Sequence, residues 1–190
     1  MRVLIAEDEA IIRMDLREML EEEGHEVVGE ARDGAEAVEL ARSLLPDVVF
    51  MDINMPGVNG IEAAEILGEE RVAPVVMVTA FSQAAYVEQA AAAGAMAYVV
   101  KPFSRSDILP AMALAAARFA ESSALIDEVA DLTERLETRK VVERAKGILM
   151  ARGKSEPDAF KALQKLAMDR RKTLREIAEA VVLASEAEES

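Results

Sequence analysis

Short apolar runs rich in valine alternate with stretches of helical period along the first 120 residues. The runs Val3–Ala6, Val48–Met51, Val75–Val78 and Ala97–Val100 are each closed by polar residues. That is the signature of strands buried on both faces. Five strands are predicted, over 2–6, 26–31, 47–52, 74–79 and 97–101, with helices over 9–23, 34–44, 59–69, 83–93 and 104–118. Gly24, Gly34 and Gly94 stand where helices should stop or turns should sit. Five successive βα units make an α/β fold, with a parallel sheet between two helical layers.

Beyond residue 118 the pattern is helical only. No Pro or Gly occurs from Phe119 to Arg139, so the fifth helix can continue through a connector over 119–138. Leu125, Val129, Leu132 and Leu136 are spaced 4-3-4. The spacing suits either a short coiled coil between two chains or a helix packed on its own protein. Residues 139–190 read as a three-helix bundle whose first helix covers about 138–151. The second opens at Ser155-Glu156-Pro157-Asp158 and the third at Thr173-Leu174-Arg175-Glu176, each a cap residue with an acid three positions on. On the first of these helices Val141, Val142, Ala145, Ile148 and Leu149 share one side, and Arg139, Lys140, Arg144 and Lys146 the other. Phe160 is assigned to the apolar face of its helix, as core.

Ligands of an open parallel sheet bind at the carboxyl ends of its strands. There the chain places Glu7 and Asp8, Asp52, Thr79 and Lys101, each directly after an apolar run. Clustered carboxylates call for a hard divalent cation with oxygen ligands, and Mg²⁺ fits best, bringing a preference for phosphoryl oxygens. With no cysteine, and with His25 outside the crevice, the nucleophile is a carboxylate. Asp52 is best placed, ending the central strand ahead of the turn Ile53-Asn54-Met55-Pro56-Gly57, which can aim the Asn54 carbonyl at the metal. Lys101 offers a point charge and Thr79 a hydroxyl donor to a phosphoryl group. No Gly-rich loop follows the first strand, which disfavours dinucleotide or ATP binding.

Composition sharpens this picture in one respect. The net charge is −14, yet residues 139–175 carry 12 Lys and Arg against 4 Asp and Glu. A basic block in an acidic protein points to a polyanionic partner. The lack of cysteine excludes disulfides and thiolate metal sites. No charge-free stretch reaches the ~18 apolar residues of a membrane helix. Glu7, Asp8 and Glu9 cut short any signal-peptide core, so the expected location is cytoplasmic, with no membrane partner.

Residues 1–118 resemble a two-component receiver domain through Leu4-Ile5-Ala6-Glu7-Asp8-Glu9, Asp47-Val48-Val49-Phe50-Met51-Asp52-Ile53-Asn54-Met55-Pro56-Gly57, Val78-Thr79-Ala80 and Tyr98-Val99-Val100-Lys101-Pro102-Phe103. The resemblance implies a flavodoxin-like sheet of order 2-1-3-4-5 and a phosphoryl group taken onto Asp52 from a partner sensor histidine kinase. It implies Mg²⁺ held by Asp8, Asp52 and the Asn54 carbonyl, with Glu7 acting through a water. Lys101 and Thr79 would hold the acyl phosphate, Tyr98 would turn inward with Thr79 as the switch, and Lys101–Pro102 would be cis. Such a domain is no enzyme beyond slow autodephosphorylation. The tail resembles the ANTAR domain through Arg144-Ala145-Lys146-Gly147-Ile148-Leu149-Met150, Asp158-Ala159-Phe160-Lys161-Ala162-Leu163 and Leu174-Arg175-Glu176-Ile177-Ala178. That family binds RNA stem-loops in transcription antitermination, which implies a phosphorylation-dependent homodimer, with Arg144, Lys146, Arg170 and Lys172 as expected RNA contacts. The order of the two domains resembles that of the actinobacterial antitermination regulators. The competing readings are a helix-turn-helix for duplex DNA, a phosphatase acting on small substrates, and an adaptor whose basic tail docks on an acidic protein.

Overall fold

The computed structural model describes residues 1–80 and 92–188. The helix expected over 83–93 falls mainly outside them. The chain divides into two compact units, Met1–Ala124 and Leu125–Ser190.

In the first unit, β1 (Arg2–Ala6), β2 (Glu26–Ala31), β3 (Val48–Asp52), β4 (Val75–Thr79) and β5 (Ala97–Val100) form one parallel sheet. Its order is β2-β1-β3-β4-β5, the flavodoxin-like order expected from the receiver resemblance. Every residue of β3 and β4 is buried, which explains their unbroken apolar runs. Strand alternation divides the core between the two faces. Leu4, Val49, Met51 and Met77 pack with Ala37, Ala41, Ala63 and Leu67 of α2 (Gly34–Leu44) and α3 (Gly60–Glu69). Val3, Ile5, Phe50, Val76 and Val78 pack with Leu16 and Leu20 of α1 (Ala10–Glu22) and with Ile108, Met112 and Ala115 of α4 (Arg105–Ala151).

Local chemistry fixes where these helices begin. Asp33 caps α2 by accepting the Glu36 N–H at 2.9 Å, while Glu36 accepts the Arg32 N–H at 2.8 Å. Asn59 caps α3 by accepting the Glu62 N–H at 2.9 Å. The Gly60 N–H donates to the Ile53 carbonyl at 3.0 Å, seating the first turn of α3 against the end of β3. A Cβ on Gly60 would lie 1.9 Å from the Asp52 carbonyl oxygen, so only glycine fits there. β3 and β4 pair with Asp52 opposite Val78, and β4 and β5 with Thr79 opposite Val100. Their carboxyl ends therefore finish level, at one edge of the sheet.

The helix expected over 104–118 runs unbroken from Arg105 to Ala151. With no Gly or Pro between Phe119 and Arg139, nothing interrupts the hydrogen-bond ladder over that stretch, and the one N–H withheld inside the helix is that of Pro110, near its start. A stretch of α4 is long and apolar enough to cross a membrane by length and composition alone. Ile108, Ala111, Met112 and Ala115 of this helix are buried against the sheet, which accounts for part of that apolarity.

In the second unit, α4 packs with α5 (Glu156–Arg170) and α6 (Leu174–Glu188) around Val142, Ala145, Leu163, Ile177, Ala178 and Val182. Both expected caps form. The Ser155 hydroxyl accepts the Asp158 N–H at 3.3 Å. Thr173 accepts the Glu176 N–H at 3.2 Å and its own N–H donates to Glu176 at 2.8 Å, a reciprocal capping box. Leu125, Val129, Leu132 and Leu136 are all at least half exposed.

Candidate functional site

Strand ends and the turns after them bring the charged residues together. Glu7 and Asp8 follow β1, Asp52 ends β3, Thr79 ends β4 and Lys101 follows β5. Lys101 Nζ lies 2.7 Å from Glu7 Oε2 and 3.3 Å from Asp52 Oδ2. Glu7 is thus the nearer counter-ion of the lysine, a direct role that the sequence did not suggest. Glu7, Asp52 and Thr79 are buried, whereas Asp8 and Asn54 are exposed at the mouth. The Ile53 N–H donates to Asp52 Oδ1 at 2.9 Å and holds the carboxylate in place. Lys101 closes the sheet edge by donating its N–H to the Thr79 carbonyl at 2.8 Å, and the Lys101–Pro102 peptide is cis. Tyr98 is turned outward, with half its surface exposed.

One carboxylate oxygen from each of Glu7, Asp8 and Asp52 lies within 4.8 Å of the other two. A single ammonium faces these three carboxylates, nearest the buried Glu7 Oε2. An all-oxygen set with excess negative charge fits Mg²⁺. The electrostatics agree. Burial, outweighing the nearby Lys101, raises the Glu7 and Asp52 pKa values above the ordinary carboxylate range. Burial pulls Lys101 down, but the Glu7 and Asp52 carboxylates more than reverse it, so the ammonium stays charged.

The sequence reading missed two positioning residues. Arg13 lies buried in the apolar stripe of α1 with Leu16 and Leu20. It donates to the Glu7 carbonyl at 2.6 Å and pairs with Glu30 at 2.9 Å. A cation where the helical period calls for an apolar residue was its available signal. Gly60, beneath Asp52, is the other; its signal was a glycine directly after the Asn59 cap.

Asp8→Ala is expected to abolish measurable Mg²⁺ binding by calorimetry, and Glu7→Gln to weaken it less. The folded state holds protons on Glu7 and Asp52 more tightly than the unfolded chain does. That contribution to stability is therefore complete below the unfolded values near ~4 and is lost as pH rises through the raised ones. Mg²⁺ held there would compete with those protons, so any thermal stabilisation by Mg²⁺ at neutral pH is expected to disappear on acidification, above the ordinary carboxylate range. A Mg²⁺ titration unchanged in Asp8→Ala would remove the metal from the account.

A model of the response regulator receiver domain matches residues 3–113, and a model of the ANTAR domain matches residues 130–182. The chain is 62% identical over 182 residues to the transcriptional regulatory protein PdtaR of Mycobacterium tuberculosis strain H37Rv, a match covering 95% of this chain and 89% of that protein. The chain belongs to the response regulators that join a receiver to an ANTAR domain. The receiver alone is 45% identical to the chemotaxis protein CheY of Thermotoga maritima, over 58% of this chain and 93% of CheY. Among solved structures, the receiver domain of the response regulator NarL from M. tuberculosis aligns with a TM-score of 0.58 at 34% identity, covering 60% of this chain and 94% of that one. A chain of the CheX-CheY-BeF3-Mg²⁺ complex from Borrelia burgdorferi aligns at 0.55 and 30% identity, covering 57% of this chain and 84% of that one. This is a family of regulators, not of enzymes.

In the ANTAR unit the structure redistributes the basic residues. Lys146, expected on an open cationic face, is buried, with its ammonium 3.0 Å from Glu143 and 2.8 Å from Glu156. The first turn of α5 lies over it, which a single-helix projection could not anticipate. Arg144 remains exposed but pairs with Glu186 at 2.6 Å, and Lys172 pairs with Glu176 at 3.0 Å. Arg170 is exposed at the end of α5. Phe160 is not core. It is 37% exposed beside Val142 and Leu174, because the buried ridge of α5 runs through Ala159 and Leu163.

Proposed function

We propose that this response regulator is phosphorylated on Asp52 by a sensor histidine kinase and that the modification controls binding of RNA stem-loops by its ANTAR unit, and through it transcription antitermination. The observation that carries the reading is the Glu7–Asp52–Lys101 cluster at the level strand ends of a receiver whose α4 continues unbroken into an ANTAR bundle.

Asp52 is the nucleophile. Its Oδ2, which faces Lys101 in the resting site, forms a bond to phosphorus as the donor's P–N bond breaks, and the donor imidazole leaves. Ile53 holds the other oxygen by its N–H. Lys101 passes from its two carboxylates to the incoming phosphoryl oxygens, and the Thr79 hydroxyl donates to another. Asp8, Asp52 and the Asn54 carbonyl would hold Mg²⁺, with Glu7 reaching it through a water, and the metal supplies charge neutralisation. On α1, Ile11 and Met14 are 77% and 67% exposed, an apolar surface fit for the kinase to dock.

Phosphorylation changes the charge beside Lys101 and Thr79, and Tyr98, now half exposed, turns inward in response. Tyr98 lies on β5, the strand that leads into α4. The exposed seam Leu125, Val129, Leu132 and Leu136 then offers a pairing surface for a second chain, giving a phosphorylation-dependent homodimer with two RNA-binding bundles. The site of action is the cytoplasm.

The test of the output is direct. The acyl-phosphate-loaded protein should bind a stem-loop RNA, with a log–log salt slope reflecting several phosphate contacts, and should leave duplex DNA of the same length unbound. Preference for the duplex would replace this reading with a DNA-binding output.

A further inference from the structure

Several cations of the ANTAR unit are already paired, while Arg139, Lys154, Arg170 and Arg171, like two lysines of α5, have no carboxylate within 4.0 Å among the described residues. Arg135, Lys140, Arg144, Lys146, Lys172 and Arg175 each lie within 3.1 Å of a carboxylate. An ion pair presents little net charge and holds a carboxylate beside any phosphate that approaches. On α5 the arrangement is different. Lys161 and Lys165 are exposed, and neither has a carboxylate within 4.0 Å among the described residues. They stand one turn apart on one side of the helix, where like charges repel. Asp158 and Asp169 stand three residues before Lys161 and four after Lys165, the spacings at which acids elsewhere in this unit pair with lysines, yet neither pairs with these two. Gln164 lies beside them, also exposed, and Met168, 79% exposed, extends the same side. The opposite side of α5 is occupied in the bundle through Ala159 and Leu163.

We infer that the outward stripe of α5, Lys161, Gln164, Lys165 and Met168, is the surface that receives RNA. The two lysines contact successive backbone phosphates, and Gln164 between them meets the edge of an unstacked loop base. The occupant is identified by charge complementarity: an unneutralised pair of cations in a protein of net charge −14 answers a polyanion. A helix offering an amide flanked by cations suits the exposed bases of a loop. Asp158 and Asp169 flank the stripe on one side and bias the strand toward the other; Asp158 is already engaged by the Ser155 hydroxyl at 2.6 Å. This inference rests on the RNA-binding reading and names its contact surface.

The experiment uses the full chain loaded with an acyl-phosphate mimic and a single stem-loop RNA, titrated at several salt concentrations. Lys161→Gln with Lys165→Gln should weaken binding about tenfold or more near physiological salt and lower the log–log slope by about 0.7–0.9 per lysine. Both positions are exposed, so helicity by circular dichroism should not change. Arg175→Gln, which removes a cation already paired with Glu179 at 2.8 Å, should stay within about twofold of wild type. Gln164→Ala should leave the slope alone and narrow the difference in affinity between the stem-loop and the same stem with a scrambled loop. If the double variant matches wild type in affinity and slope while wild type binds RNA, the α5 stripe is overturned and the RNA-binding reading stands. If wild type binds no stem-loop RNA, both fall.

Discussion

Asp52→Asn is expected to take up no phosphoryl group from acetyl phosphate or from a cognate kinase, while the fold persists. The amide is close in shape to the carboxylate and keeps an oxygen for the Ile53 N–H, which is 2.9 Å from Asp52 Oδ1. It lacks the anionic oxygen that must attack phosphorus, and no neighbour can substitute. Glu7 is engaged by Lys101 at 2.7 Å, and Asp8 sits exposed at the mouth rather than at the end of the central strand. Removing one buried negative charge also relieves the repulsion that burial leaves unbalanced, so thermal stability should hold or rise. Intact-mass detection of a phosphoryl adduct on the variant would move the acceptor elsewhere.

Gly60→Ala is the second large effect, and here two forces oppose each other. Intrinsic helix propensity favours alanine by about 1 kcal/mol. Against it, the new Cβ would stand 1.9 Å from the Asp52 carbonyl oxygen, 2.8 Å from its carbonyl carbon and 3.2 Å from the Ile53 Cα. All three are backbone atoms, which cannot rotate aside as a side chain can, so either α3 or the end of β3 must move. Overpacking of this kind costs about 1–3 kcal/mol or more, and it should dominate. Thermal unfolding should fall by on the order of 5–10 °C, and phosphorylation should slow because the displaced residue is the proposed phosphoryl acceptor. Gly68→Ala is the control: its Cβ would meet Ala93 at 3.6 Å, an ordinary contact, so propensity should prevail and stability should hold or rise. Equal effects at the two glycines would show that Gly60 does not support Asp52.

These two residues also show how much of the receiver could be read before its structure. Burial on both faces makes β3 and β4 continuous apolar runs, so strand ends, and with them Asp52 and Thr79, were legible to within a residue. The continuity of α4 over 119–139 was legible for a similar reason, since the absence of Gly and Pro there is visible in one dimension. Gly60 was not, because its constraint is a close approach between backbones that are neighbours only after folding. Arg13 left a trace, a cation in an apolar stripe, but not the identity of the carbonyls it holds. In the bundle, projecting one helix at a time assigned Lys146 to the outside and Phe160 to the inside. Both assignments reversed because burial there is decided by where the first turn of α5 crosses α4. A one-residue error around a helix is 100°, enough to exchange a ridge of core for its flank.

The central claim is that the state of Asp52 governs RNA binding by a unit joined to it through α4. Its most direct measure is the affinity of the full chain for one stem-loop RNA, before and after loading with beryllofluoride and Mg²⁺, with Asp52→Asn treated identically. Couplings between sites are typically 1–3 kcal/mol, so wild type should change its affinity by about 5–150-fold on loading, and Asp52→Asn should not respond. Equal wild-type affinities in the two states, or an equal response in the variant, would contradict it.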